Sequence, residues 1–364
     1  GYKDVLRSNN RGSNWQNLTN YTQVSDPPKI LAIKIAPSNP NIAYFIKNRT
    51  AWSNTPINDA FYRIDNLTST SPNIGDRTNV VTYLEGLING SPSVIEVHPS
   101  DPDKVWVGFT NYIDNPIYFS DDGGTNWQNF KGNGLPDLVP CFDLALDYQN
   151  NTMYMATDYG VYYRDLSTNE WNCFNGGTIE APVRALKINY CEQKIYAATF
   201  GGGSLVSDLY QNPNAQNLPI NIDYSGVFSS NSTHVTNVVV SNNSTITLQN
   251  CTWSFAKGAK LIIEPGSKVI IDNTTLTNLC SEELWQGIVV KGSKNQSQIP
   301  YYQGIVELKN GAIIENAEIA VSLWDNNDHA SSGPYIIAQN STFRNNQWDI
   351  EFPPYQDYYV NGSP

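Results

Sequence analysis

Ile117-Tyr118-Phe119-Ser120-Asp121-Asp122-Gly123-Gly124-Thr125-Asn126-Trp127 reads as a short apolar strand, a polar turn with two glycines and a closing tryptophan. Each residue type suits a tight hairpin. Asp accepts hydrogen bonds from turn amides, Gly takes the left-handed backbone that other residues avoid, and Trp packs the turn onto its sheet. The spacing returns between Val5 and Trp15, where Ser8, Gly12 and Trp15 are kept and Asn10 stands in the place of Asp122. Between Val161 and Trp171 only the strand, Asp165 and Trp171 survive. Because these side chains serve their own turn, Ser120, Asp122, Gly124 and Trp127 are expected to be structural rather than a ligand or metal site.

A second element precedes these turns. Ile33–Ile35, Pro37-Ser38-Asn39-Pro40-Asn41 and Ala43–Ile46 form a strand–turn–strand unit. It returns as Val94–Val97 to Val105–Gly108, Leu144–Leu146 to Met153–Thr157, and Leu186–Ile188 to Ile195–Thr199. Intervals of roughly 40–60 residues match four-stranded propeller blades. Ser120-x-Asp122-x-Gly124-x-x-Trp127 resembles the Asp box (BNR repeat) of sialidase-like and sortilin-like propellers. The resemblance implies about four to five blades of a longer propeller over residues 1–210, the C-terminal part of that domain.

After Asp208 the text turns to Gln211-Asn212-Pro213-Asn214-Ala215-Gln216-Asn217-Leu218-Pro219, which has no apolar periodicity, and a linker is expected over 211–222. Beyond it Gly258-Ala259-Lys260-Leu261-Ile262-Ile263-Glu264 is echoed by Gly266-Ser267-Lys268-Val269-Ile270-Ile271-Asp272. Longer echoes align on Asn273, Asn310 and Asn340, each followed by an aliphatic or aromatic three positions on: Leu276, Ile313 and Phe343. Short strands with a recurring inward apolar residue and a recurring turn Asn suit a right-handed parallel β-helix over 223–353, with Asn amides laddered at one corner. An antiparallel sandwich fits the same alternation. Residues 354–364 read as a tail or the start of a further segment.

The runs Leu276–Val290, Gly311–Ala317 and Ser341–Asn346 are similar to β-helices in large surface proteins of Bacteroidetes, in which a propeller ending like Tyr196–Gly201 often precedes the helix. That resemblance implies export by the type IX secretion system and an extracellular or outer cell-surface location. No sorting domain lies before Pro364, so the export route is inferred from the resemblance alone. The chain opens at Gly1, which reads as a removed leader or a missing N-terminus.

Composition bounds the partners. Hydrophobic residues are 40% and charged residues 15%, with 22 Tyr and 9 Trp, a mix that favours strands over helices. The net charge of −12 has no basic cluster to offset it, which disfavours nucleic acid. No apolar run is long enough for a transmembrane segment. Five cysteines without CxxC spacing argue against zinc and leave the pairing open.

Catalytic constellations are not legible. The arginines form no triad pattern, the three histidines are isolated, and no paired-Asp cluster stands in the second half, so no catalytic residue is assigned. Arg184, at the start of an inner strand, reads as half of a structural ion pair. Asp325 and Asn327 present oxygens at alternate positions, as calcium loops do, but the following Gly and distal Glu are missing; calcium is the one cofactor these residues suggest, and a solvated loop is the alternative. Trp52, Trp285, Tyr301, Tyr302 and Trp324 would suit sugar stacking where exposed, although packing in the core or a blade is the favoured role for any one of them. The function expected is binding or adhesion toward a glycan or surface-protein ligand, besides the export machinery. A sialidase-like hydrolase or β-helix lyase, and a segment of a surface filament, are the alternatives.

Overall fold

The strand–turn–strand text of the first half folds into antiparallel sheets made of consecutive strands. The computed structural model describes residues 4–8, 12–19, 29–48, 60–67, 69, 72–76, 92–174 and 181–354. Two units are resolved: Gly1–Asn189 with Gln193–Ala215, and Tyr190–Glu192 with Gln216–Pro364. The chain is all-β, a partial β-propeller plus a parallel β-helix.

In the first unit a hairpin of β1 (Leu6–Arg7) and β2 (Gln16–Asn17) comes first. Three four-stranded blades follow: β3 (Lys29–Ala36), β4 (Asn39–Asn48), β5 (Ala60–Asp65) and β6 (Asn73–Asp76); β7 (Pro92–Val97), β8 (Val105–Phe109), β9 (Ile117–Ser120) and β10 (Gln128–Asn129); then β11 (Asp143–Asp147), β12 (Thr152–Thr157), β13 (Gly160–Asp165) and β14 (Asn172–Cys173). A three-stranded sheet of β15 (Val183–Asn189), β16 (Lys194–Thr199) and β17 (Gly203–Asp208) ends the unit. The first strands of successive blades pack side by side, β3 on β7, β7 on β11 and β11 on β15.

Blades stack face to face, which explains the unbroken apolar text of their second strands. β8 and β12 are buried at every position because both faces are covered. Tyr44, Ile46, Phe61, Val105, Val107 and Trp127 form the core between the first two blades; Trp106, Leu144, Met153, Met155 and Trp171 form the next.

The second unit winds through β18 (Ile220–Ile222), β19 (Gly226–Phe228), β20 (Ser232–His234), β21 (Val238–Val240), β22 (Thr245–Gln249), β23 (Thr252–Phe255), β24 (Lys260–Ile263), β25 (Lys268–Asp272), β26 (Thr275–Asn278), β27 (Trp285–Val290), β28 (Ile305–Lys309), β29 (Ala312–Glu315), β30 (Ala317–Ser322), β31 (Tyr335–Ala338), β32 (Ser341–Arg344) and β33 (Trp348–Glu351). Every third strand stacks in parallel on its predecessor, giving sheets of six, five and five strands. This is β-helix order and not the antiparallel sandwich. The first strand, Ile220–Ile222, already pairs with β21, so the coil begins inside the stretch expected to be linker.

Alternate residues point inward. Leu261, Ile263, Val269, Ile271, Leu276, Ile288, Val290, Val306, Leu308 and Ile314 are all fully buried. The third sheet corrects one expected position. Its inward column runs Trp253–Leu276–Ile314–Phe343 by strand pairing, and Ile313 faces the other way, only partly buried. The cause is local: Gly311, at φ +89°, adds one residue to the turn after Asn310 and moves the inward position from the third to the fourth residue after the Asn.

The turn asparagines have a backbone reason. Asn250, Asn273, Asn310 and Asn340 sit at φ of 55°, 47°, 56° and 48°, the left-handed region that Asn tolerates best after Gly. Asn273 Nδ2 donates to Asn250 Oδ1 at 2.7 Å. The extra residue redirects Asn310 Nδ2 to Asp272 Oδ1 at 2.8 Å instead of to Asn273. A second corner uses the asparagines that close the following turns: Asn316 Nδ2 donates to Asn278 Oδ1 at 2.8 Å, and Asn345 follows at φ 57°.

Cys191 and Cys280 form a disulfide within the second unit, and Cys141 and Cys251 are buried thiols.

His234 is packed inside the coil against Trp253 and Phe255, with ring centroids 4.5 and 5.0 Å away, and neither ring nitrogen has a partner. Burial pushes its pKa down to about 3. The unfolded chain therefore binds this proton below about pH 6.5 while the folded one does not, so stability is full above that pH and falls as pH drops toward 3. At pH 5 the loss should be about 2 kcal/mol. Comparing urea unfolding of the parent and His234→Phe at pH 7.5 and 5 checks this: the variant should lose that much less on acidification.

Candidate functional site

The turns with the Asp-box spacing join third to fourth strands. In the best of them Asp122 Oδ1 accepts from the amides of Thr125 at 3.0 Å and Asn126 at 2.8 Å and from the Ser120 hydroxyl at 2.8 Å. Gly124 N donates to Ser120 Oγ at 2.8 Å, and Trp127 Nε1 to Gly124 O at 3.0 Å. Gly124 sits at φ +88°, and a Cβ there would meet the Phe61 ring at 2.8 Å. Burial works to raise the Asp122 carboxyl, but the bonds from Asn126, Ser120 and Thr125 prevail and hold it below its ordinary value.

In the first copy Gly12 N donates to Ser8 Oγ at 2.7 Å, and Asn10 lies outside the described residues. Trp15 corrects the expected packing role, because it is 62% exposed. Asp165 bonds the amide and hydroxyl of Ser167, while Trp171 is buried.

The opposite end of the blades carries a different chemistry. There the turns from second to third strand lie beside the starts of the first strands, as Phe200 N donating to Pro182 O at 2.8 Å and Phe142 N to Ala156 O at 2.9 Å show. Each of three consecutive turns puts one ring into solvent: Tyr112 is 61% exposed, Tyr159 50% and Phe200 73%. Between them the Arg184 guanidinium lies over Phe142 at 3.8 Å and 5.6 Å from the Phe200 ring. The expected structural ion pair is thus replaced by stacking, and no carboxylate lies within ion-pair distance of Arg184 among the described residues. Arg63 and Arg164 do fill structural roles, Arg63 on Asp65 at 2.7 Å and on Asp103, Arg164 over Phe130 at 3.8 Å. Asp158 bonds the Tyr112 hydroxyl and so raises its pKa, while its Oδ1 is buried without a hydrogen-bond partner.

Four charges line the packed first strands, two neighbouring carboxylates flanked by lysines: Lys34, Glu96, Asp143 and Lys187. Lys34 Nζ lies 2.6 Å from Glu96 Oε2. Asp143 accepts from the amides of Leu144 at 2.9 Å and Leu186 at 2.8 Å, tying the third blade to the fourth. Burial raises both carboxyls, against the pull of Lys34 on Glu96 and of the two amides on Asp143. Sequence reasoning missed this row because each charge sits alone in its own repeat; lining up the four first strands was the available signal.

In the β-helix, Trp285 takes the packing role and not the sugar-stacking one: it is fully buried and stacks on Phe255 at 4.5 Å. Tyr301 is 70% exposed, Tyr302 and Trp324 are half-buried, and Trp52 lies outside the described residues. Asp325 Oδ2 faces Lys291 Nζ at 3.5 Å, and its Oδ1 accepts from the Asn327 amide at 3.3 Å, so its oxygens are engaged by groups a calcium ion would have to displace. Among the described residues no group of three or more His, Cys, Asp or Glu could hold a metal ion. A shallow cleft of about 270 Å³ is lined by Leu323, Pro334, Tyr335, Phe352 and Pro353. No helix among the described residues is long and apolar enough to cross a membrane.

No family model matches the sequence, and no curated protein does. Several solved structures are similar at low identity. An ancestral GH74 enzyme is 19% identical over 54% of this chain and 25% of its own, with a TM-score of 0.37. The GH74 xyloglucanase from Xanthomonas campestris is 14% identical over 55% and 31%, with a TM-score of 0.39. YCF48 bound to D1 peptide is 13% identical over 54% and 56%, with a TM-score of 0.35. The chain therefore spans between a quarter and just over half of the length of these structures.

Proposed function

We propose that this chain is a non-catalytic binding or adhesion protein of the outer cell surface or extracellular space, in which the propeller presents a glycan or surface-protein ligand and the β-helix is a stiff spacer. The observation that carries the reading is the row of exposed rings, Tyr112, Tyr159 and Phe200, one in each of three successive blades at the same end. Large rings repeatedly left in solvent at one end of a rigid scaffold mark a contact surface. The Asp-box turns lie at the other end and are closed on themselves. A disulfide supports an oxidising compartment. Type IX export and a Bacteroidetes lineage extend the proposal from the sequence resemblance.

Glu96 and Asp143 favour a second reading, a polysaccharide hydrolase, because two carboxyls held above their ordinary values in neighbouring blades are what acid–base chemistry uses. Their engagement by Lys34 and by backbone amides speaks for structural roles. Reducing ends released from a panel of plant and bacterial polysaccharides decide between the two. The expected result is no release above a heat-treated control. Release that disappears in Glu96→Gln or Asp143→Asn, with the fold retained, overturns the binding-only reading.

A further inference from the structure

We infer that the exposed end of the propeller takes a neutral polysaccharide, its sugar rings lying on Tyr159 and Phe200 and its hydroxyls meeting Arg184. This rests on reading that end as the ligand face.

The side chains select the class. Sugar rings present flat C–H faces to aromatic rings, and exposed Tyr and Phe supply such platforms at low entropic cost. A hydroxyl both donates and accepts. Arg184 offers only donors, held in one plane by stacking on Phe142, and a sugar hydroxyl can accept from it. A carboxylate could accept as well, but it would meet the negative charge of Asp158, which bonds the neighbouring Tyr112 hydroxyl. The whole-chain charge of −12 further disfavours a polyanion, and one arginine is a small offset. A peptide strand would seek a sheet edge, and these rings stand on turns. Three blades in sequence give a track of successive rings, which suits a polymer over a single sugar.

Native gel electrophoresis of the full chain in gels containing mannan, dextran or hydroxyethyl cellulose tests this, with alginate and pectate as the acidic arm. Retardation by at least one neutral polymer is expected, about tenfold weaker in Phe200→Ala, Tyr159→Ala and Arg184→Gln. Trp348→Ala, which removes an exposed ring of the β-helix, should be retarded like the parent. All four positions are partly or fully exposed, and unchanged circular dichroism and melting confirm that the variants fold. Retardation only by alginate or pectate, lost in Arg184→Gln, overturns the neutral class but keeps the face. Retardation by a neutral polymer that all three variants retain overturns the face itself. No retardation by any neutral polymer overturns the inference.

Discussion

Ile314→Asp should unfold the β-helix, and Ile313→Asp one residue away should leave it standing. Ile314 is fully buried between Leu276 and Phe343 in the inward column, with no cation there to meet a carboxylate. A carboxyl in that column, kept charged or neutralised by taking up a proton, costs several kcal/mol on top of the lost apolar burial, which is comparable to the roughly 5–15 kcal/mol that holds a typical domain together. Ile313 points to the outer face, where a carboxylate keeps much of its water, so about 1 kcal/mol or less is expected there. Amide hydrogen exchange of β25 to β30 reads the difference: Ile314→Asp should abolish protection and Ile313→Asp preserve it. Equal effects would mean that the register around Gly311 is wrong.

The second large effect separates two tryptophans in the same motif. Trp127 is 5% exposed, meets Phe61 edge-on at 5.1 Å and donates its indole N–H to Gly124 O. Trp127→Ala should therefore cost the propeller about 3–5 kcal/mol, the usual range for truncating a large core aromatic. Trp15→Ala removes a ring that is mostly in solvent and should change stability by about 0.5 kcal/mol or less. Chemical unfolding followed by tryptophan fluorescence and circular dichroism measures both. A small effect at Trp127, or loss of ligand retention without loss of stability, would reverse the structural reading of that turn.

What the sequence disclosed follows from period. Blades repeat a strand–turn–strand unit and β-helix coils repeat an aliphatic, so both architectures were written in residues such as Val94–Val97 and Leu261–Ile263. Single insertions were not legible, because Gly311 looks like an ordinary turn glycine until its neighbours are paired. Nor was Trp285, where only the coil shows that the ring points inward onto Phe255. The ring-bearing end of the blades was hidden for a different reason. Tyr112, Tyr159 and Phe200 stand three, two and one residues after their second strands, so they share a place in space without sharing a sequence offset. Arg184 likewise reads as any surface arginine until Phe142, far from it in the chain, is found beneath it.

Deuterium exchange of the full chain, with and without saturating neutral polysaccharide, tests the central claim most directly. The account predicts slowed exchange in residues 110–116, 158–159 and 200–202, with the turn at 121–126 and the β-helix corners at Asn273 and Asn310 unchanged. Unchanged exchange in those three turns, or slowing confined to the β-helix, would contradict it.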